Sequence, residues 1–190
     1  PLEPSGVKAI AVVGPAADKI QDVSASEEFT ADYYSAGGPE HCRAAYVVTP
    51  LAAIRHRAAK RGIKVTSSTS PNVDEALAAV TDADVVIVVA AATSTANEPR
   101  QTMSLDDDMD SLIAQVAKVK RTVVLMQTPG AVLTPWRGEV SAVANLFLAG
   151  QETGSAWAAV VFGDAEPAGR LPVVFPATQE SLDLETAEPA

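Results

Sequence analysis

Residues 85–92 read VVIVVAAA, a run that is apolar at every position and is bounded by Asp84 and Thr93. A run of this length suits a strand better than a helix, which usually needs at least ten residues. Side chains alternate between the two faces of a sheet, so a strand that is apolar throughout must be covered on both faces. The run therefore predicts a strand at residues 84–92, in a sheet with helices packed on both faces.

Further strands and helices alternate on either side of this run. Thr49 and Asn72 are side chains that can cap a helix, and Pro50 suits a first helical turn. Helices are predicted at residues 49–62, 72–80, 107–119 and 155–162. The other strands are predicted at residues 7–14, 63–67, 122–127 and 142–148.

This alternation predicts an α/β fold with a doubly wound, mostly parallel sheet and helices on both faces, a three-layer α/β/α sandwich. Residues 171–175 are predicted as an extended segment suited to the sheet edge, because Pro172 cannot donate a backbone hydrogen bond. We expect one domain at residues 7–176. An N-terminal tail at residues 1–6 and an acidic tail or linker at residues 177–190 flank it.

Composition and charge exclude several classes of function. The chain has 190 residues, a net charge of −10 and 47% hydrophobic residues. Such acidity disfavours nucleic acids and anionic membranes as partners. No apolar run is long enough to span a bilayer. Cys42 is the only cysteine, so no disulfide can form within the chain. The chain begins at Pro1, and we expect a processed product or a fragment of a longer protein.

The residues indicate neither a cofactor nor a metal ion. The first strand ends at Gly14, but Pro15 and Ala16 follow, so the glycine-rich loop that binds dinucleotides is absent. The sequence also lacks a phosphate-binding P-loop and the Gly-x-Ser-x-Gly motif of serine hydrolases. Asp106, Asp107, Asp108 and Asp110 lie where a helix starts. There we expect them to offset the positive end of the helix dipole rather than bind a cation.

The loop after the buried strand, residues 93–106, contains the sequence Asn97-Glu98-Pro99-Arg100. In open α/β sheets, ligands bind at the carboxyl ends of the strands, where this loop lies. A glutamate there could protonate a glycosidic oxygen if burial raised its pKa. From the residues alone, a solvated surface charge is the more ordinary interpretation.

The closing segment adds a specific resemblance. It contains GQETG at residues 150–154 and GRLPVVFP at residues 169–176. Together with the Val-Gly-Pro end of the first strand, these motifs resemble the C-terminal α/β sandwich domain of family 3 glycoside hydrolases. That group includes β-glucosidases and β-xylosidases. Tyr33-Tyr34, Cys42 and the Thr49-Pro50-Leu51 helix start resemble the β-xylosidase branch. The resemblance runs from about Lys8 to Pro176.

The resemblance implies half of an active site. In that family the nucleophile, an Asp, lies on a separate barrel domain, and the sandwich domain supplies a loop with the acid/base Glu. Glu98 matches that Glu as the candidate acid/base, and Arg100 matches the Arg of the family's Asp-Arg pair. Arg100 and Asn97 would bind the sugar. Pro99 stands where the family has Asp, and Asp106-Asp107 replaces its Pro-Gly.

Two interpretations remain open. The chain is either the C-terminal domain of a β-glycosidase acting on β-glucosides or β-xylosides, or a non-catalytic module that binds or scaffolds within a larger assembly. The expected partners are a barrel domain or other protein subunits, with carbohydrate as the ligand. The resemblance implies a secreted, periplasmic or vacuolar location.

Overall fold

A computed structural model describes residues 6–20, 31–39, 41–96 and 100–180 of the chain. Its strands are β1 (Ala9–Val13), β2 (Lys64–Ser68), β3 (Val85–Ala91), β4 (Thr122–Gln127) and β5 (Ala142–Asn145). Its α-helices are α1 (Pro50–Lys60), α2 (Val73–Val80), α3 (Met109–Val119) and α4 (Thr153–Val161). Short 3-10 turns occupy Pro15–Ala17, Asp106–Asp108 and Gly150–Glu152.

The described strands form one sheet in the order β2-β1-β3-β4-β5, and every neighbouring pair is parallel. β3 lies in the middle and is buried at all of its positions. Because its side chains alternate, Val86 and Val88 enter one core cluster while Ile87 and Val89 enter the other. The predicted doubly wound sandwich is therefore confirmed, and the structure shows that its fully apolar strand is the central one.

Each face of the sheet carries its own pair of helices. α2 and α3 cover one face through Val80, Leu112 and Ile113. α1 and α4 cover the other face through Ile54 and Trp157. Two separate apolar layers thus enclose the sheet, as the apolar pattern of β3 requires.

The predicted helix caps are also present. The Thr49 hydroxyl accepts a hydrogen bond from the backbone N–H of Ala52 at 3.3 Å, and the Asn72 side chain accepts from the N–H groups of Asp74 and Glu75. These contacts satisfy amide groups that the first helical turn leaves without partners. α1 and α2 consequently begin at the residues that follow these caps.

The predicted edge strand at residues 171–175 is absent, since this segment forms no strand. Pro172 has no N–H to pair with a neighbouring strand, and Val174 is 62% exposed. β5 also ends at Asn145, short of the predicted residue 148. Two residues later Phe147 has a φ of 51°, a left-handed conformation that extended pairing cannot contain.

None of the described helices is both long and apolar enough to cross a bilayer. The division into a domain at residues 7–176 and two tails stays a prediction.

Candidate functional site

The candidate site lies at the carboxyl ends of β1 and β3. These two strands are neighbours in the sheet. The chain that leaves β1 leads to β2 on one side, whereas the chain that leaves β3 leads to β4 on the other side. The loops that leave them therefore diverge and open a crevice at the sheet edge. This is where the sequence places the loop at residues 93–106.

Gly14 lets the end of β1 lie directly against β3. Its φ is 107°, and a Cβ atom there would stand 2.4 Å from the carbonyl oxygen of Val89. No side chain fits at that distance, and the positive φ also favours glycine. The backbones of β1 and β3 are therefore in close contact at this point.

Tyr33 and Tyr34 anchor the segment at residues 31–39, and both are at most 3% exposed. The Tyr34 hydroxyl donates to the carbonyl oxygen of Lys19 at 2.7 Å, and the Tyr33 hydroxyl donates to Asp107 Oδ2 at 3.0 Å. Burial and the Asp107 carboxylate raise the pKa of Tyr33, so its hydroxyl stays protonated and can donate.

The first part of the loop after β3 is held by this same segment. Gly37 and Thr95 form an isolated parallel bridge. The N–H of Gly37 donates to the Ser94 carbonyl, and the N–H of Ala96 donates to the Gly37 carbonyl, both at 2.9 Å. The chain is therefore fixed up to Ala96.

A carboxylate closes the base of the loop. Asp106 Oδ2 accepts hydrogen bonds from the N–H of Thr93 at 2.9 Å and from the Thr93 hydroxyl at 3.0 Å. The neighbouring Leu105 is buried in the core formed with α2 and α3, which fixes the backbone beside the carboxylate. The two ends of the loop are thus joined to each other and to the core.

Arg100 fixes the second part of the loop. Its Nη1 donates to the Ala131 carbonyl and its Nη2 to the Ser104 carbonyl, each at 3.1 Å. The N–H of Leu133 donates to the Met103 carbonyl at 2.9 Å, which ties the same two loops together. The guanidinium therefore joins backbone segments and leaves only part of its donor capacity for a ligand.

A pocket of about 240 Å³ lies between these anchors. Its lining combines hydroxyl groups with one cation and one carboxylate, groups that can exchange hydrogen bonds with a polyol. The lining residues are Thr93, Ser94, Thr95, Arg100, Gln101, Thr102 and Asp106.

Of the predicted site residues, the structure describes only Arg100, while Asn97 and Glu98 lie outside the described residues. Sequence reasoning missed the contacts of Tyr33, Asp106 and Asp107. Their only sequence signals were two adjacent tyrosines in a segment without periodicity and an acidic run, and neither pattern predicts a specific pairing.

The acidic run makes specific contacts with other segments of the chain. Asp106 and Asp107 bind other loops, as described above, and Asp110 accepts a hydrogen bond from Trp136 Nε1 at 2.7 Å. Burial raises the pKa of Asp110, against the opposing effect of that hydrogen bond. In the described parts of the chain, no three His, Cys, Asp or Glu side chains cluster closely enough to hold a metal ion.

Comparison with known proteins identifies the domain. The sequence profile described as "Glycosyl hydrolase family 3 C-terminal domain" matches residues 1–189. The chain belongs to this family. A β-glucosidase from Rhizobium radiobacter is 43% identical over 89 residues, which is 46% of this chain and 11% of that protein.

Solved structures of family 3 enzymes share the fold. A family 3 β-glucosidase from Neurospora crassa superposes with a TM-score of 0.83 at 27% identity, over 95% of this chain and 23% of that one. A β-D-glucoside glucohydrolase from Trichoderma reesei superposes with a TM-score of 0.85 at 26% identity, over 95% and 28% of the two chains. This family 3 C-terminal domain therefore spans about a quarter of the length of such enzymes.

Proposed function

We propose that this family 3 domain supplies the general acid/base, Glu98, to a β-glucosidase whose nucleophile lies on a barrel domain outside these 190 residues. One observation carries the proposal. Residues 97–99 connect two points, Ala96 and Arg100, that are each hydrogen-bonded to neighbouring loops at the ligand-binding edge of the sheet. A loop held at both ends can present one carboxyl group to a substrate bound by another domain.

The chemistry needs two carboxyl groups. In a retaining glycosidase they lie about 5–5.5 Å apart, one as the nucleophile and one as the acid/base. Glu98 would protonate the glycosidic oxygen as the nucleophile attacks the anomeric carbon. It would then deprotonate the water that hydrolyses the glycosyl-enzyme intermediate. This chain contributes one of the two groups, so activity requires the barrel domain.

Arg100 takes a different role in this proposal from the one its position in the motif suggests. Its guanidinium bonds to two carbonyl groups, so it shapes the sugar site chiefly by holding the loop. Ser94 and Thr95 border the pocket beside it. The proposal that the substrate is a β-glucoside is supported by the related proteins and structures described above, which are β-glucosidases.

The test is Glu98→Ala in the full-length protein, with Glu139→Ala as the matched control. Glu139 is an exposed glutamate shortly before β5, at the opposite edge of the sheet. We expect kcat/KM for phenyl β-glucoside, a poor leaving group, to fall by about 10²–10⁴-fold. For 2,4-dinitrophenyl β-glucoside, which leaves without protonation, it should fall far less. Equal activity of both variants on both substrates would instead favour the non-catalytic module.

A further inference from the structure

Asp106 and Asp107 bind two different loops that converge on the candidate site. Asp106 Oδ2 accepts both bonds from Thr93, at the start of the loop after β3. Asp107 Oδ2 accepts a hydrogen bond from the hydroxyl of Tyr33, which lies 74 residues earlier in the chain. One short turn therefore holds the base of the loop and also the segment that supports it.

The three segments form a closed circuit. Asp106 bonds to Thr93, residues 94–96 bond to Gly37, and the segment of Gly37 returns through Tyr33 to Asp107. Each contact fixes one segment relative to the next, so a change at any of them alters the path of the loop. The backbone is fixed up to Ala96, two residues before Glu98.

The backbone of Asp107 points to a role beyond local folding. Its φ is 58° and its ψ is 30°, a left-handed conformation that favours glycine. Aspartate adopts this conformation less readily than glycine, and here it places a carboxylate against another segment of the chain. That carboxylate reaches a tyrosine that is 3% exposed, whose ring also lies 4.7 Å from Lys19 Nζ.

We propose that Asp106 and Asp107 are positioning residues for the acid/base loop, because they fix both the base of that loop and the segment hydrogen-bonded to it. This inference rests on the proposed function, since it concerns how Glu98 is aimed. Proton transfer in the transition state depends steeply on geometry, and a displacement of about 1 Å can cost on the order of a hundredfold. Breaking the circuit should therefore impair protonation of the leaving group while sparing the attack by the nucleophile.

The experiment compares Asp106→Ala, Asp106→Asn and the control Asp108→Asn in the full-length enzyme. Asp108 is an exposed carboxylate in the same turn. We expect Asp106→Ala to lower kcat/KM for phenyl β-glucoside by on the order of 10- to 100-fold. Activity on 2,4-dinitrophenyl β-glucoside should fall by less than about threefold, because that substrate needs little protonation. Asp106→Asn keeps an acceptor oxygen and should restore most of the loss, and Asp108→Asn should match the unmodified enzyme.

A second pair of variants, at Thr93, tests the same contact in case Asp106→Ala does not fold. Thr93→Val removes only the hydroxyl bond to Asp106, while Thr93→Ser keeps it. The valine variant should show a smaller loss of the same kind, confined to the poor leaving group, and the serine variant should not. Tyr33→Phe should behave like the valine variant, since it removes the bond to Asp107.

The outcomes separate this inference from the proposed function. If Glu98→Ala shows the leaving-group-dependent loss but the Asp106 and Thr93 variants do not, positioning is refuted and the acid/base role stands. Equal losses on both substrates would mean that the carboxylates only stabilise the fold, which also overturns the inference. If Glu98→Ala itself shows no such loss, the proposed function and this inference both fail.

Discussion

Gly154, the second residue of α4, packs against the chain that leads into α1. A Cβ atom there would stand 2.3 Å from the carbonyl oxygen of Thr49 and 2.4 Å from that of Val48. Its N–H donates to the same Val48 carbonyl at 2.9 Å. Both obstructing atoms belong to the backbone, so Gly154→Ala must separate the two segments by about 1 Å to restore ordinary contact at about 3.5 Å.

Two effects oppose each other in this variant. Alanine improves helix propensity by at most about 1 kcal/mol. Overpacking costs about 1–3 kcal/mol, and the strained hydrogen bond about 0.5–1.5 kcal/mol more. The steric effect should therefore win, and we expect the free energy of unfolding to fall by about 0.5–3.5 kcal/mol. At about 2–4 °C per kcal/mol for a chain of this size, Tm should drop by roughly 1–14 °C.

Urea unfolding of the 190-residue chain measures this change, with Gly138→Ala as the control. A Cβ atom at Gly138 would have no neighbouring atom within 4 Å, so this substitution should alter the free energy by less than about 0.5 kcal/mol. A Gly154→Ala variant as stable as the control, or more stable than the unmodified chain, would show that helix propensity dominates and would refute the packing argument.

Three further predictions concern stability, each measured by urea unfolding. Hydrogen bonds from the N–H groups of Lys8 and Ala9 lower the pKa of Asp84. The Asp84 carboxylate therefore stabilises the fold, and this stabilisation is lost as the pH falls through the lowered pKa. Asp84→Asn should make the free energy of unfolding depend less on pH in that acidic range. Burial raises the pKa of Asp110, so the free energy of unfolding decreases as the pH rises above the ordinary pKa of 3.8. Asp110→Asn should therefore gain stability relative to the unmodified chain over that pH range. A stability difference between the two that stays constant with pH would contradict the raised pKa. Asp164 pairs with Arg57 and Arg61 at the surface, so Asp164→Ala should cost less than about 1 kcal/mol, and a loss several times larger would contradict a merely solvated pair.

The layers of the fold follow from local sequence patterns. The strand predicted at residues 84–92 matches β3 to within one residue at each end, and Thr49 and Asn72 mark the starts of α1 and α2. These features need only strand alternation and the capping of free amides, which neighbouring residues determine. The resemblance then assigned the family correctly.

Other features depend on contacts that no local pattern contains. α3 starts at Met109 rather than at residue 107, because Asp107 and Asp108 take left-handed conformations. The Tyr33 hydroxyl meets Asp107 across 74 residues, and only the folded sheet edge brings the two together. Arg100 was predicted as part of the sugar site, but which carbonyl groups its guanidinium meets depends on the loop after β4.

The most direct test of the central claim is azide rescue of Glu98→Ala in the full-length protein with 2,4-dinitrophenyl β-glucoside. Without the acid/base, the glycosyl-enzyme intermediate should form but hydrolyse slowly, since no base activates water. Azide needs no base, so it should attack the anomeric carbon, break the bond to the nucleophile and release β-glucosyl azide. We predict a turnover rate that rises with azide concentration and a β-glucosyl azide product detectable by NMR. Turnover independent of azide, with glucose as the sole product, would contradict the assignment of Glu98 as the acid/base.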